Sequence, residues 1–537
     1  MKILSSEKEI GRFEKNIGIL FLKSLRKYKD KPFFYFYDEN SEWKFKTLED
    51  IFKDSEKIDH FLKKEGLLYS GSRAITFSEN SYNMLIWEMA LLFSGIASVP
   101  IWSEEKIENI SEILDISNAG FGFVDSAEKE KKIKKISKIP LIGPDLIEKI
   151  KKIKVKNNFV LELINKIEPE TEAFVQFTSG STGKMKGVVL THKNITSQQK
   201  SFSIMWKIPS NSIFLSYLPW HHSYGGLFER FIAINYGVRW YVDPEIGKNI
   251  DKLFKHWENV KPTHFFSVPK VYVEILKKIK EDKKLKNIFF HKNLKILFTA
   301  GAPLPLICSK FFEKNGAVVM EGWGLTETSP TVTLTSPEGG RTHSYVGFPI
   351  SGCKIKVDKE GEIYVKGPNV MKGYLLKDRI EKPFEDGWFK TGDIGKITKK
   401  GLKLICRKDG IFKLLNGRKV ASFPIEEKIN FISKDIKNVI VFGQGMEKAS
   451  ALVFTNPSCN IEKLKLEILK KEKIWKPKNL PFYALIIIQK ALSIEKGELT
   501  PTQKIVRNKI LKNYKKYIDA LLQLSKYSKL KKNILLL

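Results

Sequence analysis

Apolar residues alternate between helical and strand spacing over much of the chain. Residues 47–65 place leucine, isoleucine and phenylalanine on one helical face, residues 72–77 favour a short strand, and residues 82–93 favour an apolar helix. A second stretch with the same alternation runs from about 171 to 330. Strands that alternate with helices in this way predict an α/β fold with largely parallel sheets.

The pattern changes in two other parts of the chain. Residues 340–400 alternate apolar and polar positions between glycine and proline turns, which predicts a β-rich part. From residue 408 to the end a smaller α/β pattern returns, with strands over 439–442 and 483–488. Residues 127–158 are lysine-rich and less patterned, and we interpret them as a connection.

The charge balance is strongly basic, with 93 Lys and Arg against 60 Asp and Glu in 537 residues, a formal net charge of +33. The lysines are spread in short runs such as 131–135 and are not gathered in an arm with interleaved aromatic residues. This distribution favours a generally lysine-rich composition over a specific nucleic-acid site. The four cysteines form no CxxC pair, so we expect no structural zinc.

Targeting signals are not evident from the sequence. The N-terminal residues lack the apolar core and small-residue cleavage site of a secretory signal, and no stretch approaches the about 20 apolar residues of a spanning helix. We therefore expect a cytoplasmic protein. Residues 526–537 are basic and then apolar, which is typical of a frayed terminus or, as the alternative, of a weak peripheral contact with a membrane.

The sharpest local feature is the loop Thr178–Gly187, which follows the apolar run 173–177. Its glycines, hydroxyls and lysines offer backbone N–H groups and positive charge to an anion. It differs from a Walker A loop, because only two residues separate Gly180 from Gly183 and a methionine follows the next lysine. The alternative is a flexible Ser/Gly surface loop, but apolar strand-like runs on both sides argue against a linker.

This loop resembles the phosphate-binding loop of the adenylate-forming superfamily, which includes acyl-CoA synthetases, peptide-synthetase adenylation domains and luciferases. Met185 stands where that family usually has proline, whereas Lys186 and Gly187 keep their places. The resemblance implies that the loop holds the phosphates of ATP through Thr178, Ser179, Gly180, Ser181, Thr182, Gly183 and Lys186.

Further segments resemble motifs of the same family and follow in the same order. The resemblance as a whole covers about residues 17–520. The segments are Tyr217–Gly225, Thr299–Leu304, Glu321–Thr328, Trp388–Asp393, Ile405–Lys413 and Leu499–Arg507. In the family, the first borders the acyl pocket, the next three surround the nucleotide, the fifth is a hinge between domains and the last carries a catalytic lysine.

The resemblance also implies roles for single residues. Contacts with adenine and ribose fall to Ala302, Pro303, Trp323, Gly324, Asp393 and Arg407, and the acyl pocket is bordered by His222, Val268 and Gly301. Catalytic roles fall to Thr326 at the α-phosphate, Glu327 as the Mg²⁺ ligand and Lys504 between the carboxylate and the nucleotide. These residue types suit the chemistry. The indole of Trp323 can stack on adenine, the carboxylate of Glu327 is a hard ligand for Mg²⁺, and the carboxylate of Asp393 can accept hydrogen bonds from both ribose hydroxyls.

The resemblance implies two domains. Residues 1–407 would form a large domain that binds the nucleotide and the acyl group, with two α/β subdomains and a β-rich subdomain. Residues 408–537 would form a small, mobile α/β domain that carries the catalytic lysine, with the hinge at Asp409. The implied activity is that of an ATP-dependent acid:CoA ligase, with ATP, Mg²⁺ and CoA.

The acid and its acceptor stay open. Phe266–Tyr272 and Leu499–Thr502 are similar to long-chain fatty acyl-CoA synthetases, which favours a medium- or long-chain fatty acid. Leu218–His222 is similar to aryl acid ligases, and an acyl carrier protein is an alternative acceptor that a basic surface would suit. A non-catalytic acyl- or nucleotide-binding relative is the alternative from another class. The combination of Lys186, Glu327 and Lys504 argues against it.

Overall fold

The computed structural model describes residues 2–38, 40–155, 159–179, 185–338, 344–377, 379–499, 505–522 and 533–537. The predicted α/β class is confirmed, because the N-terminal part is built on two sheets with parallel centres and the C-terminal part on a smaller mixed sheet. Within the described residues, no helix combines the length and the apolar character needed to cross a bilayer.

The first sheet joins a parallel half to an antiparallel half. Its strands, in spatial order, are β20 (Arg379–Glu381), β19 (Gly373–Leu376), β9 (Met185–Thr191), β8 (Glu172–Ser179), β5 (Ala97–Ile101), β4 (Arg73–Phe77), β6 (Phe121–Val124) and β7 (Leu141–Ile142). The pairs from β8 to β7 are parallel and those from β8 to β20 are antiparallel.

The second sheet is parallel through its middle. Its strands, in spatial order, are β16 (Phe348–Pro349), β15 (Thr333–Leu334), β14 (Val318–Trp323), β13 (Ile296–Thr299), β12 (His264–Ser267), β10 (Ile213–Ser216), β11 (Arg239–Val242), β2 (Phe34–Tyr37) and β3 (Trp43–Lys46). Because β14, β13, β12 and β10 run in the same direction, their carboxyl ends meet at one edge. Such an edge is where open α/β sheets bind ligands.

Helices cover the faces of both sheets and bury their apolar sides against them. They are α1 (Ile17–Tyr28), α2 (Leu48–Lys64), α3 (Tyr82–Phe93), α4 (Ile107–Ser117), α5 (Ala127–Lys134), α6 (Pro144–Ile150), α7 (Phe159–Lys166), α8 (His192–Met205), α9 (Arg230–Tyr236), α10 (Ile250–Val260), α11 (Pro269–Glu281), α12 (Lys283–Phe289) and α13 (Leu306–Lys314). A continuous apolar cluster runs through this part of the molecule from Ile17 to Leu402.

The predicted β-rich part forms an antiparallel sheet beside the two larger ones. Its strands are β1 (Lys2–Ser5), β17 (Lys354–Val357), β18 (Glu362–Lys366), β22 (Trp388–Thr398), β21 (Phe384–Glu385) and β23 (Gly401–Arg407). β22 and β23 form a hairpin in which Asp393 lies directly opposite Arg407. Both residues have implied roles in the site.

The C-terminal part has its own core. It contains the hairpin of β24 (Ile411–Lys413) and β25 (Lys419–Ala421), the sheet of β26 (Ile436–Phe442), β27 (Ala449–Thr455), β28 (Phe482–Ile488) and β29 (Ile534–Leu536), and α14 (Phe423–Asn430), α15 (Ile461–Lys470), α16 (Glu472–Trp475), α17 (Arg507–Asn513) and α18 (Lys515–Leu522). Its apolar clusters begin at Phe412, so in the described part of the chain they share no residue with the N-terminal clusters.

One interpretation of the sequence is wrong. Residues 127–158, which we interpreted as a lysine-rich and less patterned connection, contain α5, β7 and α6, and β7 extends the parallel half of the first sheet. Each of these helices is short and buries only one or two isoleucines, and most of its other positions are polar or charged. One or two apolar positions per helix do not produce a visible helical period in the sequence.

Candidate active site

The residues with implied roles collect at the carboxyl edge of the second sheet. Tyr217–Gly226 follows β10, Val268 follows β12, residues 300–304 follow β13, and residues 324–328 follow β14. Neighbouring parallel strands therefore bring these segments together, although they are up to about a hundred residues apart in the sequence.

The segment that resembles a phosphate-binding loop lies where β8 ends and β9 begins, and these two strands pair as a hairpin. Thr178 pairs with Lys186 and Ser179 with Met185, so both ends of the loop are held by a ladder of backbone hydrogen bonds. Gly180, Ser181, Thr182 and Gly183 lie outside the described residues. At the base of the hairpin, a Cβ atom on Gly187 would lie 2.8 Å from Cγ1 of Val175, so packing requires glycine there.

Glu327 lies in a short 3₁₀ helix, Thr326–Thr328, directly after β14. Its Oε1 accepts a hydrogen bond of 2.7 Å from the hydroxyl of Tyr374 on β19. Burial, and then the neighbouring Glu327, raise the pKa of Tyr374, so this hydroxyl keeps its proton and remains a donor. Lys186 Nζ lies 5.0 Å from the centroid of the same tyrosine ring, within the range of a cation–π contact.

Thr326 connects two of the converging segments. Its Oγ1 lies 3.3 Å from Oγ of Ser223, the residue that follows His222. The backbone beyond it is held by Asn369, whose amide donates to the carbonyls of Thr328 and Thr331. Because the loop is tied on both sides, Thr326 and Glu327 have a defined position relative to β19.

Trp323, Asp393 and Arg407 form a second hydrogen-bonded group. Trp323 Nε1 donates to Oδ2 of Asp393 over 2.9 Å, and Arg407 donates to Oδ1 over 3.0 Å. Burial acts to lower the pKa of Arg407, but the carboxylates of Asp393 and Asp409 outweigh it and the pKa is raised. Trp323 and Asp393 are only 7% and 9% exposed, so the carboxylate has a fixed orientation.

The loop between β13 and α13 lies beside Trp323. Thr299 pairs with Glu321 in adjacent strands, and Oε1 of Glu321 accepts from the backbone N–H of Leu304 over 3.4 Å. This contact holds Ala302 and Pro303 next to the end of β14. A Cβ atom on Gly324 would lie 1.9 Å from the carbonyl oxygen of Pro330, so the chain can pass here only with glycine.

His222 is half-buried, and its Nδ1 accepts a hydrogen bond of 3.2 Å from the backbone N–H of Tyr224. The hydroxyl of Tyr224 donates to the carbonyl of Phe298 in β13 over 3.1 Å. Val268, half-buried, precedes the first turn of α11, and Gly301 is exposed with a φ of +85°. The three residues implied for the acyl pocket thus lie at the ends of adjacent strands.

A π-helix, Tyr224–Glu229, begins two residues after His222 and leads into α9. Its two glycines pack directly on the backbone of residues 218–220. A Cβ atom would lie 2.5 Å from the carbonyl oxygen of Leu218 if added to Gly225, and 2.0 Å from that of Trp220 if added to Gly226. The close approach fixes the path of the segment that carries His222.

Comparison with protein families identifies the chain. The profile described as AMP-binding enzyme matches residues 21–375, and the profile described as AMP-binding enzyme C-terminal domain matches residues 409–526. The chain belongs to the AMP-binding enzyme family. Its resemblance to adenylate-forming enzymes, inferred from the motifs, is thereby confirmed.

Individual relatives of this AMP-binding enzyme agree with that assignment. Long-chain-fatty-acid–CoA ligase 1 of Cavia porcellus is 27% identical, over 90% of this chain and 83% of the relative. The chloroplastic long-chain-fatty-acid–[acyl-carrier-protein] ligase AEE15 of Arabidopsis thaliana is 26% identical, over 85% and 80%. The structure of o-succinylbenzoate CoA synthetase from Bacillus subtilis, in complex with its acyl-adenylate intermediate, is 20% identical and covers 93% of this chain and 98% of its own, with a TM-score of 0.75.

Several residues of the candidate site were not found from the sequence. Tyr374 contacts Glu327 and Asn369 holds the loop after it, but both lie outside the motifs that carried the resemblance. Ser223, which contacts Thr326, lies inside one of those motifs but had no implied role. Tyr374 is one of several tyrosines in strands, and the pairing of β19 with β9 brings it to the β8–β9 hairpin. Lys504 lies outside the described residues, so its role stays a prediction.

The carboxylates near the site suit one kind of metal ion. The described ranges contain no group of three or more His, Cys, Asp or Glu side chains that could hold a metal by themselves. A single carboxylate, Glu327, near the hairpin that resembles a phosphate-binding loop fits Mg²⁺. This ion is usually bound through one or two carboxylates, substrate phosphates and water.

Proposed function

We propose that this protein is an ATP-dependent acid:CoA ligase. In the first step the carboxylate oxygen of the acid attacks the α-phosphorus of ATP and pyrophosphate leaves, which gives an acyl-AMP. In the second step the thiol of CoA attacks the acyl carbonyl, AMP leaves and the thiol proton is released. The products are acyl-CoA, AMP and pyrophosphate.

The observation that carries this proposal is the geometry of residues 323–327. One end of this segment, Trp323, belongs to the group with Asp393 and Arg407, which suits a base and a ribose. The other end, Glu327, belongs to the group with Tyr374 and Lys186, at the base of the phosphate hairpin. One extended nucleotide would therefore contact both groups at once, with its α-phosphate near Thr326.

Catalysis in this arrangement rests on positioning and on charge. Lys186, Thr178 and the hairpin backbone would hold the β- and γ-phosphates, and Asp393 would accept hydrogen bonds from the ribose hydroxyls. Glu327 would hold Mg²⁺, which supplies charge neutralisation at the phosphates. Lys504 would donate to the attacking carboxylate and the nucleotide. No side-chain nucleophile is required.

The two steps imply two arrangements of the chain. We place the domain boundary between Arg407 and Lys408 and the hinge at Asp409, which is exposed in a 3₁₀ turn. The C-terminal domain contacts the rest of the chain through polar pairs, including Lys106 Nζ to the carbonyl of Glu495 at 2.9 Å. Such contacts are easily exchanged, so rotation about the hinge can withdraw Lys504 and admit the thiol.

The acid we favour is a medium- or long-chain fatty acid. His222, Val268 and Gly301 would border its entrance, and Phe266 and Tyr272 behind Val268 are fully buried, in an apolar and aromatic part of the core. The fatty acid named for the relatives from Cavia porcellus and Arabidopsis thaliana supports the same choice.

A pyrophosphate-release assay over fatty acids from C4 to C18 and aromatic acids tests the proposal. We expect release that depends on ATP, on Mg²⁺ and on a medium- or long-chain acid, with acyl-CoA formed when CoA is added. Release only with aromatic acids would replace the proposed substrate by an aryl acid. Absence of release with every acid would overturn the enzymatic proposal.

An acyl carrier protein is the second candidate acceptor. The Arabidopsis thaliana relative is named for that acceptor, and a net charge of +33 suits an acidic carrier. The same assay, run once with CoA and once with an acyl carrier protein, separates the two. Faster thioester formation with the carrier would reverse our assignment of the acceptor.

A further inference from the structure

Tyr374 lies between the two charged groups that would hold the phosphates and the metal. On β19 it pairs with Val188 of β9, and the next residue pairs with Gly187, which places its ring beside Lys186. Its hydroxyl reaches Glu327 on the other side, at 2.7 Å. The side chain therefore links the phosphate hairpin to the short helix after β14.

Lys186 and Glu327 contact different parts of the Tyr374 side chain. The ammonium lies over the ring face, 5.0 Å from its centroid, and the carboxylate binds the hydroxyl at the ring's far end. Within the described ranges no ion pair joins Lys186 to Glu327, and each of the two contacts Tyr374 instead. A direct pair would use the positive charge meant for a phosphate and the carboxylate meant for a cation.

We propose that Tyr374 is a positioning residue of the adenylation site, which orients Glu327 for Mg²⁺ and keeps Lys186 free for the phosphates. This inference rests on the proposed function. The hydroxyl occupies Oε1 of Glu327 and leaves Oε2 for the cation. Groups that orient a metal ligand in this way are typically worth about 10- to 100-fold in metal affinity.

The chain contains a matched control. Tyr364 on β18 has the same kind of surroundings, because its hydroxyl donates to Asp358 over 3.3 Å and Lys356 lies 4.7 Å from its ring centroid. It is 7% exposed and belongs to the antiparallel sheet, which contains neither Tyr374 nor Glu327. Replacing either tyrosine by phenylalanine removes one hydroxyl and keeps the ring.

The experiment measures metal binding without turnover. Mn²⁺ is titrated, with detection by electron paramagnetic resonance, into protein saturated with α,β-methylene-ATP, whose α,β bridge cannot be cleaved. We expect Tyr374→Phe to weaken Mn²⁺ binding about 10-fold or more, and Tyr364→Phe to leave it unchanged. Affinity for the metal-free nucleotide should stay at the wild-type value in Tyr374→Phe, because the ring that Lys186 contacts is kept.

Tyr374→Leu tests the role of the ring in keeping Lys186 free, apart from the role of the hydroxyl in orienting Glu327. It removes the ring as well as the hydroxyl, so we expect weaker binding of the metal-free nucleotide in addition to the loss of Mn²⁺ affinity. High Mg²⁺ should restore the adenylation rate of Tyr374→Phe, which a general folding defect would not allow. Wild-type Mn²⁺ affinity in Tyr374→Phe would overturn the proposal.

Failure of this inference can be told apart from failure of the proposed function. If Glu327→Gln weakens Mn²⁺ binding and the wild-type protein releases pyrophosphate, an unaffected Tyr374→Phe overturns only the role of Tyr374. If Glu327→Gln has no effect and no acid yields pyrophosphate, the proposed function is overturned and this inference with it.

Discussion

The interior of the N-terminal region and its contact with the C-terminal region hold charged groups in opposite ways. Arg230 and Glu88 form an ion pair with both side chains fully buried, and Glu88 also accepts from Ser98 at 2.5 Å. Between the regions, Lys419 pairs with Glu360 over 3.3 Å with both side chains more than half exposed. Loss of one partner is costly in the first case and nearly neutral in the second.

The difference agrees with the domain rotation that we propose. The helix that carries Arg230 continues directly from the segment with His222, so the buried pair fixes one wall of the candidate site. The contacts between the regions include exposed polar pairs, which water can replace. A fixed site and a movable partner region are what a two-step reaction on one nucleotide needs.

Arg230→Met should have the largest effect on stability. The change leaves the Glu88 carboxylate buried without its partner, which typically costs about 3–5 kcal/mol in the free energy of unfolding. Urea unfolding of the variant and of the wild type measures this difference in the free energy of unfolding. The double variant Glu88→Gln, Arg230→Met should recover part of the loss. A single variant as stable as the wild type would remove the contrast between the two regions.

Lys504→Ala should have the next largest effect, on rate and not on stability. Loss of one well-placed donor typically lowers a rate by about 10²–10³. We expect that loss in adenylate formation, whereas thioester formation from supplied acyl-AMP should stay close to wild type. Lys509→Ala, in the nearby helix α17, is the control. Equal loss in both half-reactions would contradict a role confined to the first arrangement.

His192 should make the N-terminal region sensitive to acid. Burial lowers its pKa to about 3, and its Nδ1 accepts from the backbone N–H of Ile17 over 3.2 Å. Below its ordinary pKa of 6.5 the unfolded chain binds a proton that the folded chain does not, so stability falls as the pH drops from 6.5 towards 3. At pH 4 the loss from this group is about 3 kcal/mol.

The His192→Asn variant isolates that contribution. Its side-chain oxygen can accept from Ile17 but cannot be protonated in this range. Urea unfolding at pH 7 and pH 4 should give a smaller loss of stability for the variant than for the wild type. Equal losses would mean that His192 is accessible to protons in the folded state.

Lys419→Ser should have the smallest effect. An exposed ion pair is worth less than about 1 kcal/mol, so the free energy of unfolding should change by no more than that. A loss comparable with that of Arg230→Met would mean that the two regions form one cooperative unit, contrary to the comparison above.

The sequence predicted the fold where apolar periods were long. α3 buries nearly every residue and matches its predicted range, and the alternation around Lys354–Val357 gave an antiparallel strand. The prediction for residues 127–158 was wrong because the helices there are short and mostly polar. The candidate site followed from local motifs, whereas Tyr374 could not, because its partners depend on the pairing of β19 with β9.

Gly225 and Gly226 have a consequence for how this protein can vary. With carbonyl oxygens 2.5 Å and 2.0 Å from where a Cβ atom would be, even alanine has no room at either position. A library randomised at both residues and selected for folding should return glycine at each, whereas surface positions such as Lys419 should accept most side chains. The two glycines therefore mark a stretch that protein engineering must leave untouched, even when the specificity of the acyl pocket proposed beside it is redesigned.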